Sequence, residues 1–202
     1  NCIALVGWSY DDKRELFTLE ELVQLFDIEK LSKSPGVFDY QKLEWFNGVY
    51  LRAKSRTEFA RLITPFMKRA GLPDGDLGKL EAVAGLVQER VKRLAEVPEM
   101  VRYLFEGPAA YAAEDLVPKK SDPARAADSL EAVKPLVAAA SGSDAAAFDA
   151  QARQIADARG IKLGDLLMPL RVAITGSKVS PPLHDSIRLS GADRALAAVD
   201  AA

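Results

Sequence analysis

The chain has 202 residues, 49% of them hydrophobic, with 27 Lys and Arg against 29 Asp and Glu for a net charge of -2; it can bury one or two ordinary cores, and no charge-rich or low-complexity half points to disorder. Cys2 is the only cysteine, which excludes an intramolecular disulfide and a multi-cysteine metal site, suits a reducing cytoplasm and reads as a small packing residue. No apolar run is long enough to span a bilayer, the first residues carry neither a basic leader nor a cleavage site, and Asn1 in place of an initiator Met leads us to expect a piece of a longer soluble protein.

Helical signals dominate from the start. Thr18 and Glu21 form a capping box ahead of Leu19, Leu22, Val23 and Phe26, the apolar stripe of a short helix. Ser34-Pro35-Gly36 breaks the chain, Val37-Phe38 is expected as one brief strand, and Asp39 caps the next helix. That helix carries Leu43, Phe46 and Tyr50 at helical spacing, with Trp45 and Asn47 interleaved and Gly48 inside the run. Trp45 and Tyr50 are assigned to packing, because aromatics at core spacing usually pack.

A second capping box, Ser55 with Glu58, opens a helix through Phe59, Leu62 and Ile63. Pro65 is expected to kink it or to begin a new helix after Thr64, and Gly71 to end it. Leu77, Leu80, Val83, Val87, Val91 and Leu94 predict one long amphipathic helix. Pro98 separates it from a shorter aromatic helix with Val101, Leu104 and Phe105, stopped by Gly107-Pro108. The stretch from Pro118 to Pro123 is the best boundary between two helical units. Beyond it, Leu130, Val133, Leu136 and Val137 share a face that Pro135 interrupts. Asp144 or Ser143 starts a helix through Phe148, Ala152 and Ile155 that ends at Gly160. The tail, Ala-Ala-Val-Asp-Ala-Ala, is bland, and a frayed last helix is expected. The fold class is therefore all-α in the main, with at most one short strand.

Two stretches are too particular for generic helices. Residues 32–50, SKSPGVFDYQKLEWFNGVY, resemble the "SKSPxVFDxxKLxWxNxxY" segment that follows the catalytic core in bacterial-type glutamyl-tRNA synthetases of class I. Residues 160–182, from Gly160-Ile-Lys-Leu-Gly through Pro169-Leu-Arg171 and Thr175-Gly176 to Ser180-Pro181-Pro182, resemble that family's "G-x-K-x-G-x-x-x-x-P-L-R-x-A-x-T-G-x-x-x-S-P" segment. A looser likeness runs from Tyr103 through Phe105-Glu106 and Tyr111 to Lys119-Lys120. The chain departs from the family at Leu189-Ser-Gly-Ala-Asp-Arg194, where "L-L-G-K-E-R" is usual, and His184 stands where an aromatic is usual. Together the anchors cover nearly the whole chain. The resemblance implies the end of a stem-contact fold over residues 1–54 and a helical anticodon-binding domain in two subdomains, 55–120 and 121–202.

Lys30-Leu-Ser-Lys-Ser34 looks like the KMSKS loop with which class I enzymes hold ATP phosphates. In the family the true loop lies upstream of this SKSP element, and the required HIGH motif is missing, since His184 sits in Pro-Leu-His-Asp-Ser. No catalytic residue is assigned. The implied parent attaches glutamate to tRNA(Glu) using ATP and magnesium; this part would hold no cofactor and no metal. The expected partners are tRNA(Glu) and the upstream catalytic domain of the same chain, with no membrane, in a cytoplasmic monomer.

An anticodon is a single-stranded loop whose splayed bases are read by backbone groups, short polar side chains and arginine forks. By resemblance, Ser180, Pro181 and Leu183 border the anticodon bases, with Thr175 at the same helix end and Arg171 meeting the RNA backbone or a buried partner. Ser180 could equally be an N-cap and Pro181 the first helical residue. The "LVQERVKRL" stretch resembles the family helix that presents an arginine to the third anticodon base, which implies Arg90 in that role with Arg93 as its competitor. His184 is expected at the surface or just behind these residues. The net charge of -2 gives no global pull on RNA, so local clusters would have to supply it: Arg52, Lys54, Arg56 and Arg61, and Arg90, Lys92 and Arg93. The competing reading is a helical interaction or scaffold module that never binds RNA by itself.

Overall fold

A computed structural model describes residues 1–11, 13–34 and 36–202. Pro35, centre of the expected break, lies outside the described residues. The helices run in chain order as α1 (Leu19–Leu25), α2 (Tyr40–Arg52), α3 (Arg56–Arg69), α4 (Leu77–Val87), α5 (Val97–Val101), α6 (Tyr103–Glu106), α7 (Pro123–Ala139), α8 (Ala145–Ala158), α9 (Leu163–Thr175), α10 (Leu183–Ser190) and α11 (Ala192–Asp200). The all-α class holds, and no strand occurs among the described residues. Val37-Phe38 does not form the expected one. Val37 is 88% exposed, and neither residue makes a backbone ladder bond, so nothing lies alongside to pair with it.

The helix starts are the ones the side chains dictate. Thr18 and Glu21 close their capping box at 2.8 and 3.2 Å, and Ser55 and Glu58 theirs at 3.0 and 3.2 Å. Asp144, not Ser143, caps α8, accepting the Ala147 N–H at 2.8 Å. Each cap satisfies a backbone donor that the first helical turn leaves without a partner.

A new helix after Thr64 and one long helix from Leu77 to Leu94 both fail to form, for different reasons. Pro65 neither ends α3 nor restarts it. The one backbone bond it removes lies on the exposed face, while Phe59, Ile63 and Met67, fully buried on the other, hold both halves against α4. The predicted long helix from Leu77 to Leu94 instead stops at Val87. Val91 is still buried, but the chain reaches it by a turn. Gln88 Nε2 donates to the carbonyls of Leu51 and Lys54 at 2.9 and 2.7 Å, Asn47 donates to the Lys92 carbonyl, and Glu96 accepts the Lys92 N–H at 3.1 Å. Of the apolar series Leu80, Val83, Val87 and Val91 are buried and Leu77 is exposed; the side-chain bonds fixed the backbone path.

Helices α3, α4 and α5 pack on one another; α7, α8, α9 and α11 form a second group; α10 touches α4, α6, α8 and α11. One apolar core runs continuously from Leu51 to Val199. The last helix is not frayed: Ala195 and Val199 are buried, and Asp200 pairs with Lys134 of α7 at 2.8 Å. A smaller aromatic cluster stands apart near the N-terminus, where Trp8 meets Phe17 at 5.7 Å and Phe26 at 5.4 Å. Helix α2 bridges the two, yet only Phe46 of its aromatics is inside. Trp45 and Tyr50, assigned to packing, are 43% and 45% exposed, because no described segment covers that side of α2.

Phe59 lies at the centre of the α3 and α4 contact with no exposed surface. Phe59→Ala is expected to lower unfolding free energy by about 3–5 kcal/mol in denaturant titration, the cost of lost burial plus a cavity.

Candidate nucleic-acid interface

The corner between α9 and α10 is built from its sequence upward. Thr175 is the last residue of α9, and its hydroxyl donates back to the Arg171 carbonyl at 2.8 Å. Gly176 follows in the left-handed region, φ 73, with its N–H on the Val172 carbonyl at 2.7 Å. A Cβ there would stand 2.5 Å from the Ala109 carbonyl oxygen, so only glycine allows both the turn and the approach of the 107–109 loop. Ser177 then folds on Val179, and Lys178 pairs with Asp115 at 2.8 Å.

Arg171 holds the far side of this turn. One guanidinium nitrogen, Nη1, donates to Ser180 Oγ at 2.5 Å and to the Pro181 carbonyl at 3.0 Å. Ser180 is therefore not an N-cap and Pro181 not the first helical residue; Pro182 occupies the cap position of α10 and has no side-chain cap bond. External bonds set that helix start. Ser186 Oγ donates to the Pro182 carbonyl at 2.7 Å, which uses its only proton, so Tyr103 Oη must donate in the 2.6 Å bond to Ser186 Oγ. His184, expected near the surface, is buried. Its Nε2 faces the carbonyls of Ala140 and Ser143 at 3.1 and 3.0 Å and must carry the proton that both accept. The ring packs on Phe148 at 5.4 Å, which accounts for an aromatic body at this position.

Of the seven candidate residues, six gather at this corner. Thr175, Pro181 and Leu183 are buried in its walls, Ser180 and Arg171 are half-buried, and Arg90 is exposed. Arg90 follows α4 in a turn closed by its N–H on the Val87 carbonyl at 2.8 Å. It is near enough that, after burial, its charge is the next cause holding the Arg171 guanidinium below the ordinary arginine range. Neither arginine forms an ion pair with the described residues. Arg93 is different. It pairs with Glu96 at 2.8 Å and Glu44 at 3.7 Å, and these carboxylates raise its pKa. It ties the turn after α4 to α2, away from the corner.

A cleft of about 590 Å³ opens beside the corner, with Tyr103, Pro108, Ala109, Gly176 and Ser180 in its walls. Its rim carries three carboxylates: Glu99 and Glu106 share Arg102 at 3.3 and 3.1 Å, and Glu96 pairs with Arg93, which Glu44 also approaches, so the rim keeps an excess of negative charge. The positive charge without a carboxylate partner among the described residues stands at the corner itself, on Arg90 and Arg171. The sequence reading assigned no site role to Tyr103, Ser186 or the 107–109 loop, although the looser family likeness from Tyr103 to Tyr111 and the Gly107-Pro108 stop fall on that stretch. Burial pushes the Tyr103 phenol up to about 12, against the smaller opposing effects of Ser186, Arg171 and Arg90. No group of three or more His, Cys, Asp or Glu able to hold a metal occurs among the described residues.

Fold and site together define an all-helical two-group body with an arginine-lined corner at a helix end. The chain belongs to the anticodon binding domain family, whose model matches residues 58–202. It is similar to two glutamate–tRNA ligases over its whole length: that of Treponema denticola, 39% identical and covered to 45% of its length, and that of Herpetosiphon aurantiacus, 40% identical and covered to 42%. The chain thus spans less than half the length of these curated relatives. A crystal structure of a glutamate tRNA ligase from Elizabethkingia meningosepticum in complex with its amino acid superposes with a TM-score of 0.78, covering 99% of this chain and 39% of that one at 22% identity. That likeness shows the fold.

Two measurements test the corner. Tyr103 binds its proton more tightly folded than unfolded, so its contribution to stability is complete below pH 10 and is lost as pH rises to about 12. The loss should be of order 2 kcal/mol, and Tyr103→Phe should flatten that part of the stability profile. Gly176→Ala forces a side chain into a left-handed backbone and against Ala109, and is expected to lower unfolding free energy by at least about 1–3 kcal/mol in denaturant titration.

Proposed function

We propose that this chain is the anticodon-reading portion of a glutamate–tRNA ligase, and that it takes the single-stranded anticodon loop of tRNA(Glu) at the corner between Arg90 and Arg171. The observation that carries the reading is the pairing state of the arginines. Arg90 and Arg171 face one corner without a carboxylate, while Arg93, the nearest rival, is spent on Glu96 and Glu44. A cation left unpaired beside fixed walls is what a polyanion with exposed bases requires. Arg90 is free to fork onto a base edge. Arg171 uses Nη1 on Ser180 and Pro181, which leaves Nε and Nη2 for a phosphate. Thr175 and Leu183, being buried, shape the wall through their backbone, and Ser180 and Pro181 form its lip.

The parent's chemistry belongs outside this chain. Lys30 and Lys33 are exposed on and beside a 3-10 turn, Ile28–Lys30, and the ATP and magnesium of a glutamate–tRNA ligase are assigned to the upstream catalytic part. That part has a natural seat. Leu19, Val23, Ile28, Val37 and Tyr40 are 73–88% exposed on the segment that leads into α2, and the relatives are more than twice this chain's length. The division into residues 1–54, 55–120 and 121–202 is read from the resemblance; α3 packs with α4 and α5, and α7 with α8, α9 and α11, while one apolar core and the contacts of α10 with α4 and α6 cross it. The parent is read as a cytoplasmic monomer. No helix among the described residues is long and apolar enough to cross a membrane.

The test is binding of tRNA(Glu) in a salt series. Affinity should fall as salt rises, and Arg90→Ala should cost about 1–3 kcal/mol and relax discrimination at one anticodon base. Arg171→Lys should weaken binding less than Arg171→Ala, since it keeps the charge and loses the fork. Absent or salt-insensitive binding, or equal binding by Arg90→Ala, would overturn the reading in favour of a helical interaction module. Separately, joining the upstream part should shift Trp45 emission to the blue and protect it from a soluble quencher; an unchanged spectrum would exclude docking on α2.

A further inference from the structure

A second cationic cleft lies on the seam between the two helix groups. Its volume is about 160 Å³, and Arg56 at the start of α3, Gly85 of α4, and Asp185 and Arg188 of α10 line it. Arg56 makes no hydrogen bond or ion pair with its side chain among the described residues. Its guanidinium lies against the α4 backbone: a Cβ on Gly85 would stand 3.3 Å from Arg56 Cζ and Nη1. A glycine in the middle of a helix weakens it, and here its missing side chain provides the floor on which the guanidinium rests. Arg188 comes from the facing helix and has only Asp185, at the long distance of 4.0 Å. His184 Nδ1 lies 3.6 Å from Asp185 but makes no hydrogen bond to it. The cleft therefore holds two guanidinium groups against one carboxylate.

Its position matters as much as its charge. Leu86 also lines the cleft, and Arg90 follows four residues later along the same segment. On the other wall, α10 begins two residues past Pro181, which Arg171 holds. The α4 and α10 seam thus leads from the Arg90 and Arg171 corner to Arg56 and Arg188. No aromatic side chain lines this cleft, so it offers no stacking platform for a base; it offers two forked donors, the geometry that fits a phosphodiester.

We propose that Arg56 and Arg188 form a backbone-phosphate subsite that holds the RNA strand as it leaves the base-reading corner and so draws the two helix groups together. The proposal rests on the RNA reading above. Phosphate contacts position a nucleic acid without reading its sequence.

The experiment measures the full chain against tRNA(Glu) and against the same RNA with an altered anticodon, each in a salt series. Arg56→Ala and Arg188→Ala should each reduce the slope of log affinity against log salt by about 0.7–0.9 and weaken both RNAs by the same factor. Gly85→Leu keeps both charges but fills the floor under the Arg56 guanidinium. It should reproduce the slope loss of Arg56→Ala while leaving the melting temperature no lower, since leucine favours a helix over glycine. Unchanged slopes in the arginine variants, while Arg90→Ala still weakens binding, would overturn this subsite and leave the base-reading corner intact. A loss confined to the cognate anticodon would overturn it as well, by making these residues readers of sequence. Absence of binding by the unaltered chain would overturn both proposals together.

Discussion

The start of α10 is the constraint on which the site depends. That helix has no side-chain cap of its own, and its register is imposed by a buried relay in which Tyr103 donates to Ser186 and Ser186 donates to the Pro182 carbonyl. Tyr103 comes from α6 and Ser186 from α10, so one short chain of hydrogen bonds closes the helix end and joins two elements far apart in sequence. Low surrounding polarity strengthens such bonds and makes their loss costly. The same burial keeps the phenol protonated, which the relay needs.

Two more polar side chains act on the same segment. His184 reaches back to the turn after α7, and Arg171 grips Ser180 and Pro181, the two residues before the cap. With Leu183 and Ile187 buried between them, α10 cannot slide without breaking polar bonds inside the protein. What this rigidity secures is a fixed lip at Ser180-Pro181, close to a guanidinium that burial disfavours but cannot discharge. A preformed wall beside an uncompensated cation loses little freedom on binding.

Charge pairing sorts the arginines by role in a way that net charge hides. Arg93 and Arg102 are spent on carboxylates and organise the turns around the cleft. Arg56, Arg90 and Arg171 are not. A chain with a net charge of -2 can therefore present a positive seam, because screening confines each charge to its neighbourhood of about 8–10 Å. The exposed apolar face of α1 and α2 is a different kind of unfinished surface, set apart from the seam by the bonds that tie α2 to Gln88 and Lys92.

Much of this was legible in the sequence. Helix type, most caps, the buried faces of α7 and α8 and membership of the anticodon-binding family are local properties, written in spacing, capping residues and two motif blocks; the stripe read on α1, with Leu19 and Val23, lies exposed. The resemblance also pointed to six residues that meet at the corner, without Tyr103 and Ser186, which set the start of α10. The sequence could not say which arginine is free, why His184 is buried, or that Trp45 lies outside, and it joined α4 to the turn beyond it. Those depend on partners dozens of residues away: Glu44 for Arg93, the Ala140 carbonyl for His184, Leu51 and Lys54 for Gln88. Periodicity records which side of a helix avoids water, so it determined the elements. Only the tertiary structure decided where charges are cancelled and where they remain, because a hydrogen bond or ion pair depends on distances that folding alone creates.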